Sequence, residues 1–314
     1  MHPVFSFIIP HYVTPQLLIR CVDSIPLRED VQVIVVDDCS PVTDELNETL
    51  NILRKKKGVE VYFTTQGGSA GRARNIGLDH ARGKWLLFVD ADDFVAPDIS
   101  DFMDKYAQSD ADIIYFNYSG VMSDDISKPS RRESDYSKYF EEYERTHNEE
   151  NFRFDYQTPW GKMIRRSFIE NNHIRFDETS YSNDVMFAIK AGCLAKRILP
   201  VNKSLYVLTE REGSLSSSFC QKLGEAEMRT RVALNAYKTI KEYGYSYEFN
   251  YQMFIRILVY NKEFKVLRRF YHNIEDYHIG KKIILNIVRH MGRCYYLLCV
   301  DLIVSDLLCK FHMK

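Results

Sequence analysis

Trp85-Leu-Leu-Phe-Val-Asp90-Ala-Asp92-Asp93 says more about this 314-residue chain than any other stretch. An apolar run that stops in three acids within four positions reads as a buried strand carrying carboxylates to the edge of a sheet. Acids crowded like this repel one another and gain nothing from burial. A hard divalent cation such as Mg2+ or Mn2+ relieves the conflict, because it takes oxygen ligands and bridges protein to phosphate. The expectation is a metal-assisted site for a diphosphate-bearing substrate. The plainer alternative is a strand end followed by an Asp-rich turn.

Outward from that strand, the chain alternates. Val4–Pro10 and Val31–Val36 read as buried strands, with a helix between them that Pro15 can open and that Leu17, Leu18, Cys21, Val22 and Ile25 stripe. A helix over Thr43–Lys56, a strand over Val59–Phe63 and a helix to about Ala81 follow the second strand. Past Trp85, Pro97 opens another helix and Asp112–Phe116 is a fifth strand. Such alternation predicts a parallel doubly wound sheet, with ligands outside the carboxyl ends of its strands. Pro10–Tyr12, Asp37–Asp38 and Asp90–Asp93 all fall at carboxyl ends, so three polar clusters share one rim. Residues 120–155, polar and Tyr-rich, read as a flexible insertion. A turn at Pro159–Lys162, helices near 165–171 and 183–195, and a strand over Ile198–Leu208 complete this part, and the pattern is helical from about 220.

Seven scattered cysteines form no CxxC and suit reduced thiols in a cytoplasm rather than a disulfide framework. The N-terminus lacks the basic and apolar regions of a signal peptide. From Cys220 onward there are 16 Lys/Arg against 9 Asp/Glu, while the preceding 219 residues hold 26 against 34. A basic tail behind an acidic body points to an anionic partner for the tail. Nucleic acid is a poor candidate, since the excess is modest and the body is acidic.

The motifs Phe5-Ser-Phe-Ile-Ile-Pro10-His-Tyr12, Val35-Val-Asp37-Asp38, Gly71-Arg-Ala-Arg74-Asn75-Ile-Gly77, Phe88-Val-Asp90-Ala-Asp92-Asp93 and Ser182-Asn183-Asp184 follow in order over residues 4–215. As a set they resemble the family 2 glycosyltransferases of the GT-A fold: α/β, a doubly wound and mostly parallel sheet with flanking helices. The resemblance implies a nucleotide-sugar-binding half over 1–118 and an acceptor-binding half over 119–219. It does not cover the helical region over 220–314.

Position by position, the resemblance implies that Pro10, Tyr12 and Asp38 hold the base of a UDP-sugar and that Arg74 and Asn75 close the nucleotide site. Asp90 would approach the ribose, Asp92 would bind the Mn2+ or Mg2+ that bridges the phosphates, and Asp184 would be the catalytic base. The implied reaction is inverting transfer of one sugar to a hydroxyl of a glycan or lipid-linked glycan, in capsule, O-antigen or lipooligosaccharide synthesis. No Gln-x-x-Arg-Trp of processive synthases occurs. Two positions depart from the family pattern: Val13 stands where Asn is frequent, and Asn183 where Glu precedes the base.

Bland readings stay open beside these. Asp184 suits a helix N-cap, Asp37-Asp38 a turn, and His11 and His173 structural roles. Trp160 fits an acceptor-pocket wall or a core position. Lys162 and Arg211 could neutralise phosphate, and the loop from Arg211 to Ser216 could close over it or be a surface turn. A sugar nucleotidyltransferase is disfavoured by Pro10–Pro15 standing where a Gly-rich, basic loop belongs. An inactive nucleotide-sugar-binding protein is the alternative from another class. The apolar and basic stretch over 280–314 is broken by Asp301 and Asp306, too soon for a transmembrane helix. It suits contact with the inner face of the cell membrane, packing on the domain, or a homodimer.

Overall fold

Four apolar segments build the centre of the sheet: β1 (Phe5–His11), β2 (Val31–Asp37), β3 (Val59–Phe63) and β4 (Trp85–Phe88). They run parallel in the order β3-β2-β1-β4. Every residue of β1, β2 and β4 is buried, as happens when helices cover both faces of a parallel sheet. Helices α1 (Pro15–Ser24), α2 (Asp44–Arg54) and α3 (Ala70–His80) are the crossovers. Pro15 is tolerated at the start of α1 because its missing N–H has no helical partner there. Thr43 caps α2 by accepting from the Leu46 N–H, and Ser69 caps α3 by accepting from the Arg72 N–H, each contributing about 1 kcal/mol.

The structure is a computed structural model describing residues 2–130, 136–211 and 225–247, which divide between compact units Met1–Ser217 and Ser218–Lys314. In the first unit the sheet continues past β4 with β7 (Lys162–Arg165), which is antiparallel to both β4 and β6 (Ile113–Met122). Strand β8 (Ile198–Glu210) runs parallel to β6, and the two-residue β5 (Phe94–Val95) closes the edge antiparallel to β8. The sheet is therefore mixed beyond β4. Strand β7 was legible only as a turn, because four residues are too few to show a period.

Alternate side chains of the strands feed two cores. Phe7, Ile9, Val33, Trp85 and Leu87 join Leu18 and Val22 of α1 and Phe102 and Met103 of α4 (Ile99–Tyr106). On the opposite face, Ile8, Ile34, Leu86 and Phe88 join Ala73 of α3 and Phe187 and Ala191 of α7 (Val185–Leu194). Helix α6 (Arg166–Asn171) adds Phe168 and Ile169 to this second core.

The stretch read as a flexible insertion needs correcting. Helix α5 (Ser137–Thr146) and a π-helical turn over Asn151–Asp155 send Phe140, Phe152 and Phe154 into the interior. Its aromatics, spaced among charges, are one buried face rather than a loose loop. Tyr156 completes it, donating its hydroxyl to the Phe116 carbonyl at 2.8 Å. In the second unit the described residues form α8 (Glu225–Glu242). No helix among the described residues is long and apolar enough to cross a membrane. The expectations placed on residues 212–216 and 280–314 fall outside the described residues.

Candidate functional site

The registers His11↔Asp37 and Asp37↔Phe63 keep the carboxyl ends of β1, β2 and β3 level, so their polar ends share one rim. His11 is buried there. Its Nε2 accepts from the Thr14 N–H at 3.2 Å, which leaves the proton on Nδ1 to be donated to Asp37 Oδ2 at 2.7 Å. Burial pushes the Asp37 carboxyl up, but the bonds from His11 and from the Ser40 N–H outweigh it and hold it low. Asp38 is equally occupied. Thr64 donates its hydroxyl to Oδ1 at 2.9 Å, and the N–H groups of Gly68 and Ser69 donate to Oδ2 at 2.8 Å each. Pro10 is buried within β1, whereas Tyr12 is 58% exposed.

Val13 has φ +56°, a left-handed conformation that a β-branched residue adopts only under strain. The family's frequent Asn suits that geometry better, so the departure noted in the sequence has a backbone consequence.

The acids after β4 form a tight turn in which the Asp93 N–H bonds to the Asp90 carbonyl at 2.9 Å. Strand β5 follows at once, so both ends of the turn are tied into the sheet. Arg20 of α1 donates to the Asp92 carbonyl at 2.7 Å, and the Thr209 hydroxyl donates to the same oxygen at 2.7 Å. Asp93 is buried, accepting from the Tyr206 hydroxyl at 2.5 Å and the Thr209 N–H at 2.7 Å. Burial and the neighbouring Asp92 and Asp90 push its carboxyl well above the usual range. Asp92 is different: its side chain is 35% exposed, and the one cation at contact distance among the described residues is Arg211, Nη2 to Oδ2 3.8 Å. Burial and Asp90 raise its carboxyl too, against the opposing pull of Arg211.

Arg74 joins this turn to the start of α7. Its guanidinium is buried, donating through Nη2 to Asp90 Oδ1 at 2.6 Å and through Nη1 to Asn183 Oδ1 at 2.9 Å, while its Nε–H has no partner. Gly71, one turn earlier on α3, permits this approach: a Cβ there would lie 2.1 Å from the Asp177 carbonyl oxygen and 3.0 Å from Asn183 Cβ. Asp184 stands next to Asn183 at the head of α7, and its carboxylate makes no capping bond to that helix. Burial raises the Asp184 carboxyl and Asp90 adds to it, with Arg74 and Lys162 opposing. The base-motif carboxylate is thus not consumed by a cap.

Asn75 and Lys162 are engaged within the chain, and Trp160 takes the core position that its sequence left open beside a pocket wall. Asn75 pairs with the chain itself, accepting from the Phe176 N–H and donating to the Phe176 carbonyl, both at 3.0 Å, and so fixes the segment leading to Asn183. Trp160 is 5% exposed and stacked on Tyr206 at 4.6 Å, a core position with no face left for a sugar. Lys162 is buried, giving its ammonium to the carbonyls of Tyr156 and Thr158, so it does not reach out to a phosphate. Burial lowers its pKa well below the usual lysine range, Asp184 opposing. Nothing in the sequence pattern marks Arg20, Tyr206 or Thr209, whose roles arise only from the meeting of α1, β8 and the acidic turn, and Asp93 was marked only as one of three crowded acids.

Among the described residues, no group of three or more His, Cys, Asp or Glu side chains is arranged to hold a metal ion by itself. The donor chemistry still fits a hard cation. Asp92 is a half-exposed carboxylate with raised proton affinity beside two other acids, and the remaining ligands could come from phosphate oxygens.

Residues 6–172 match the sequence model of glycosyl transferase family 2, and the chain belongs to that family. Over 225 residues it is 28% identical to the poly(ribitol-phosphate) beta-N-acetylglucosaminyltransferase TarS of Staphylococcus aureus, covering 68% of this chain and 37% of TarS. Over 221 residues it is 27% identical to the succinoglycan biosynthesis protein ExoO of Rhizobium meliloti, covering 68% of this chain and 63% of ExoO. The match therefore spans less than two thirds of either relative. The fold is that of solved TarS (residues 1–349, in complex with UDP-GlcNAc), with a TM-score of 0.65 at 21% identity over 90% of this chain and 83% of that one. It is shared more loosely with the mannosyltransferase PcManGT of Pyrobaculum calidifontis, in complex with GDP-Man and Mn2+. There the TM-score is 0.52 at 14% identity over 99% and 81% of the two chains. The chain is a family 2 glycosyltransferase related to enzymes of bacterial polysaccharide synthesis.

Proposed function

We propose that this chain transfers one sugar, with inversion, from a UDP-sugar to a hydroxyl of a glycan or lipid-linked glycan, assisted by Mn2+ or Mg2+. The observation that carries the reading is the Arg74 bridge, which ties Asp90 of the acidic turn to Asn183 beside Asp184. A metal-side acid and a base-side acid thereby share one rigid cross-brace, as displacement at a single anomeric carbon requires. The nucleotide complexes of the relatives, UDP-GlcNAc with TarS foremost, support the donor class.

In this reading Tyr12 offers its ring to the base, and Asp38 fixes the loop from Thr64 to Ser69. Asp92 would hold the cation, which when bound stabilises the charge that gathers on the departing diphosphate. Asp184 accepts the acceptor's proton, and its raised proton affinity makes it a stronger base than an ordinary carboxylate. The reading is tested by following UDP release from a panel of UDP-sugars, with Mn2+ and with EDTA, alongside calorimetric UDP binding. Metal-dependent release and binding are expected, both lost in Asp92→Ala. A protein that neither binds UDP nor turns over any donor with either cation would end it.

A further inference from the structure

The acidic turn is not held by its own strand alone. Tyr206, on β8 and 116 residues further along the chain than Asp90, puts one phenol oxygen between two members of the turn. It donates to Asp93 Oδ2 at 2.5 Å and accepts from the Asp90 backbone N–H at 3.2 Å. Three residues later Thr209 supports the remaining member, giving its hydroxyl to the Asp92 carbonyl and its N–H to Asp93 Oδ1, each at 2.7 Å. Strand β8 is fixed on both sides at this point, Tyr206 lying opposite Tyr118 of β6 and opposite Val95 of β5. Trp160 stacks flat on the Tyr206 ring, the planes 8° apart. The phenol is therefore gripped before it touches the acids, and burial beside Asp93 keeps it protonated and able to donate.

We infer that Tyr206 is a positioning residue for the cation and diphosphate, with Thr209 as its partner. Together they set the distance and direction between the Asp90 and Asp92 carboxylates. The inference rests on the proposed function, since it concerns how the turn presents Asp92. Two features support a positioning role beyond mere packing. Tyr206 and Thr209 bond all three acids of one turn, by carboxylate, carbonyl or amide. Asp93, whose carboxylate they hydrogen-bond, is the buried acid, which leaves Asp92 as the partly exposed one. A turn free to rotate would let Asp90 and Asp92 splay apart under their own repulsion.

The experiment compares UDP affinity in Mn2+ with UDP affinity in EDTA, by calorimetry, for the wild type and four variants. Tyr206→Phe keeps the ring stack and removes the hydroxyl. Thr209→Val removes only the bond to the Asp92 carbonyl, and Thr209→Ser restores it. Ser6→Ala is the control: it loses a buried hydroxyl that serves Gln32 and Gly83 at the opposite end of the strands. The expected result is an Mn2+ enhancement of UDP binding reduced about tenfold in Tyr206→Phe, and less in Thr209→Val. Affinity in EDTA should be nearly unchanged, with wild-type behaviour in Thr209→Ser and Ser6→Ala. Should Tyr206→Phe fail to fold, the Thr209 pair carries the test alone. An unchanged Mn2+ enhancement in the folded variants overturns the inference while leaving the proposed function intact. If the wild-type protein itself shows no Mn2+ enhancement, the proposed function fails first and the inference with it.

Discussion

Two acid pairs close strands β2 and β4, which flank β1 on either side, and they are treated in opposite ways. Asp37 and Asp38, after β2, are buried and provided with donors: a histidine, a threonine hydroxyl and three backbone N–H groups. Asp37 consequently holds its proton less tightly than usual. The acids after β4 are crowded, and Asp92 and Asp93 both hold their protons more tightly than usual. The first pair is already supplied with hydrogen-bond donors by the chain itself. The second is a crowded charge cluster braced by Arg20, Arg74, Tyr206 and Thr209, and its partly exposed member is the acid that the proposed function assigns to the cation.

That contrast is most directly broken by exchanging each acid for its amide. Asp92→Asn should cut turnover about a thousandfold or more while leaving thermal stability equal or slightly higher, since a repulsive charge is gone. Asp38→Asn should instead cost about 2–4 kcal/mol in chemical denaturation, because one amide cannot accept all three bonds that the carboxylate takes. Equal stability losses in the two variants would erase the distinction.

Next in size is the brace. Arg74→Met removes the charge that joins Asp90 to Asn183, and turnover should fall about tenfold to a hundredfold with UDP affinity falling less. Loss confined to UDP affinity would show that Arg74 serves the nucleotide side only.

The base-side acid predicts the pH profile. In the proposed mechanism deprotonated Asp184 is the active form, and burial raises its pKa, so activity should fall on acidification at a pH above the ordinary carboxylate value of about 4. Asn183→Glu would place a second negative charge beside it and compete for Arg74, so the acid limb should move to still higher pH. A limb that stays in place with the added charge would separate Asp184 from that limb. The smallest effect belongs to the scaffold side: Val13→Asn should stabilise the protein by about 1 kcal/mol, by relieving the left-handed strain at φ +56°. Denaturant midpoints would reveal it.

How far the sequence reads depends on how local the cause is. Strands β1, β2 and β4 were legible because each is buried along its whole length, and the helices α1 and α2 because they are striped at one period. The motif acids were legible because charge at the end of an apolar run is conspicuous. Strand β7 and the two-residue β5 were not, being shorter than a period. The surroundings of Trp160, Lys162 and Asn75 were hidden too, because whether a side chain faces ligand, core or backbone depends on neighbours far along the chain. Asn75 meets Phe176, and Trp160 meets Tyr206.

Hydrophobic pattern and the placement of acids thus determined by themselves that this protein is an α/β sheet with a polar rim, because burial and charge repulsion act residue by residue. Only the tertiary structure decided which acids are satisfied and which are left for a ligand. Hydrogen bonds to Asp93 come from residues more than a hundred positions away, and no local pattern can announce a partner that the fold alone brings near.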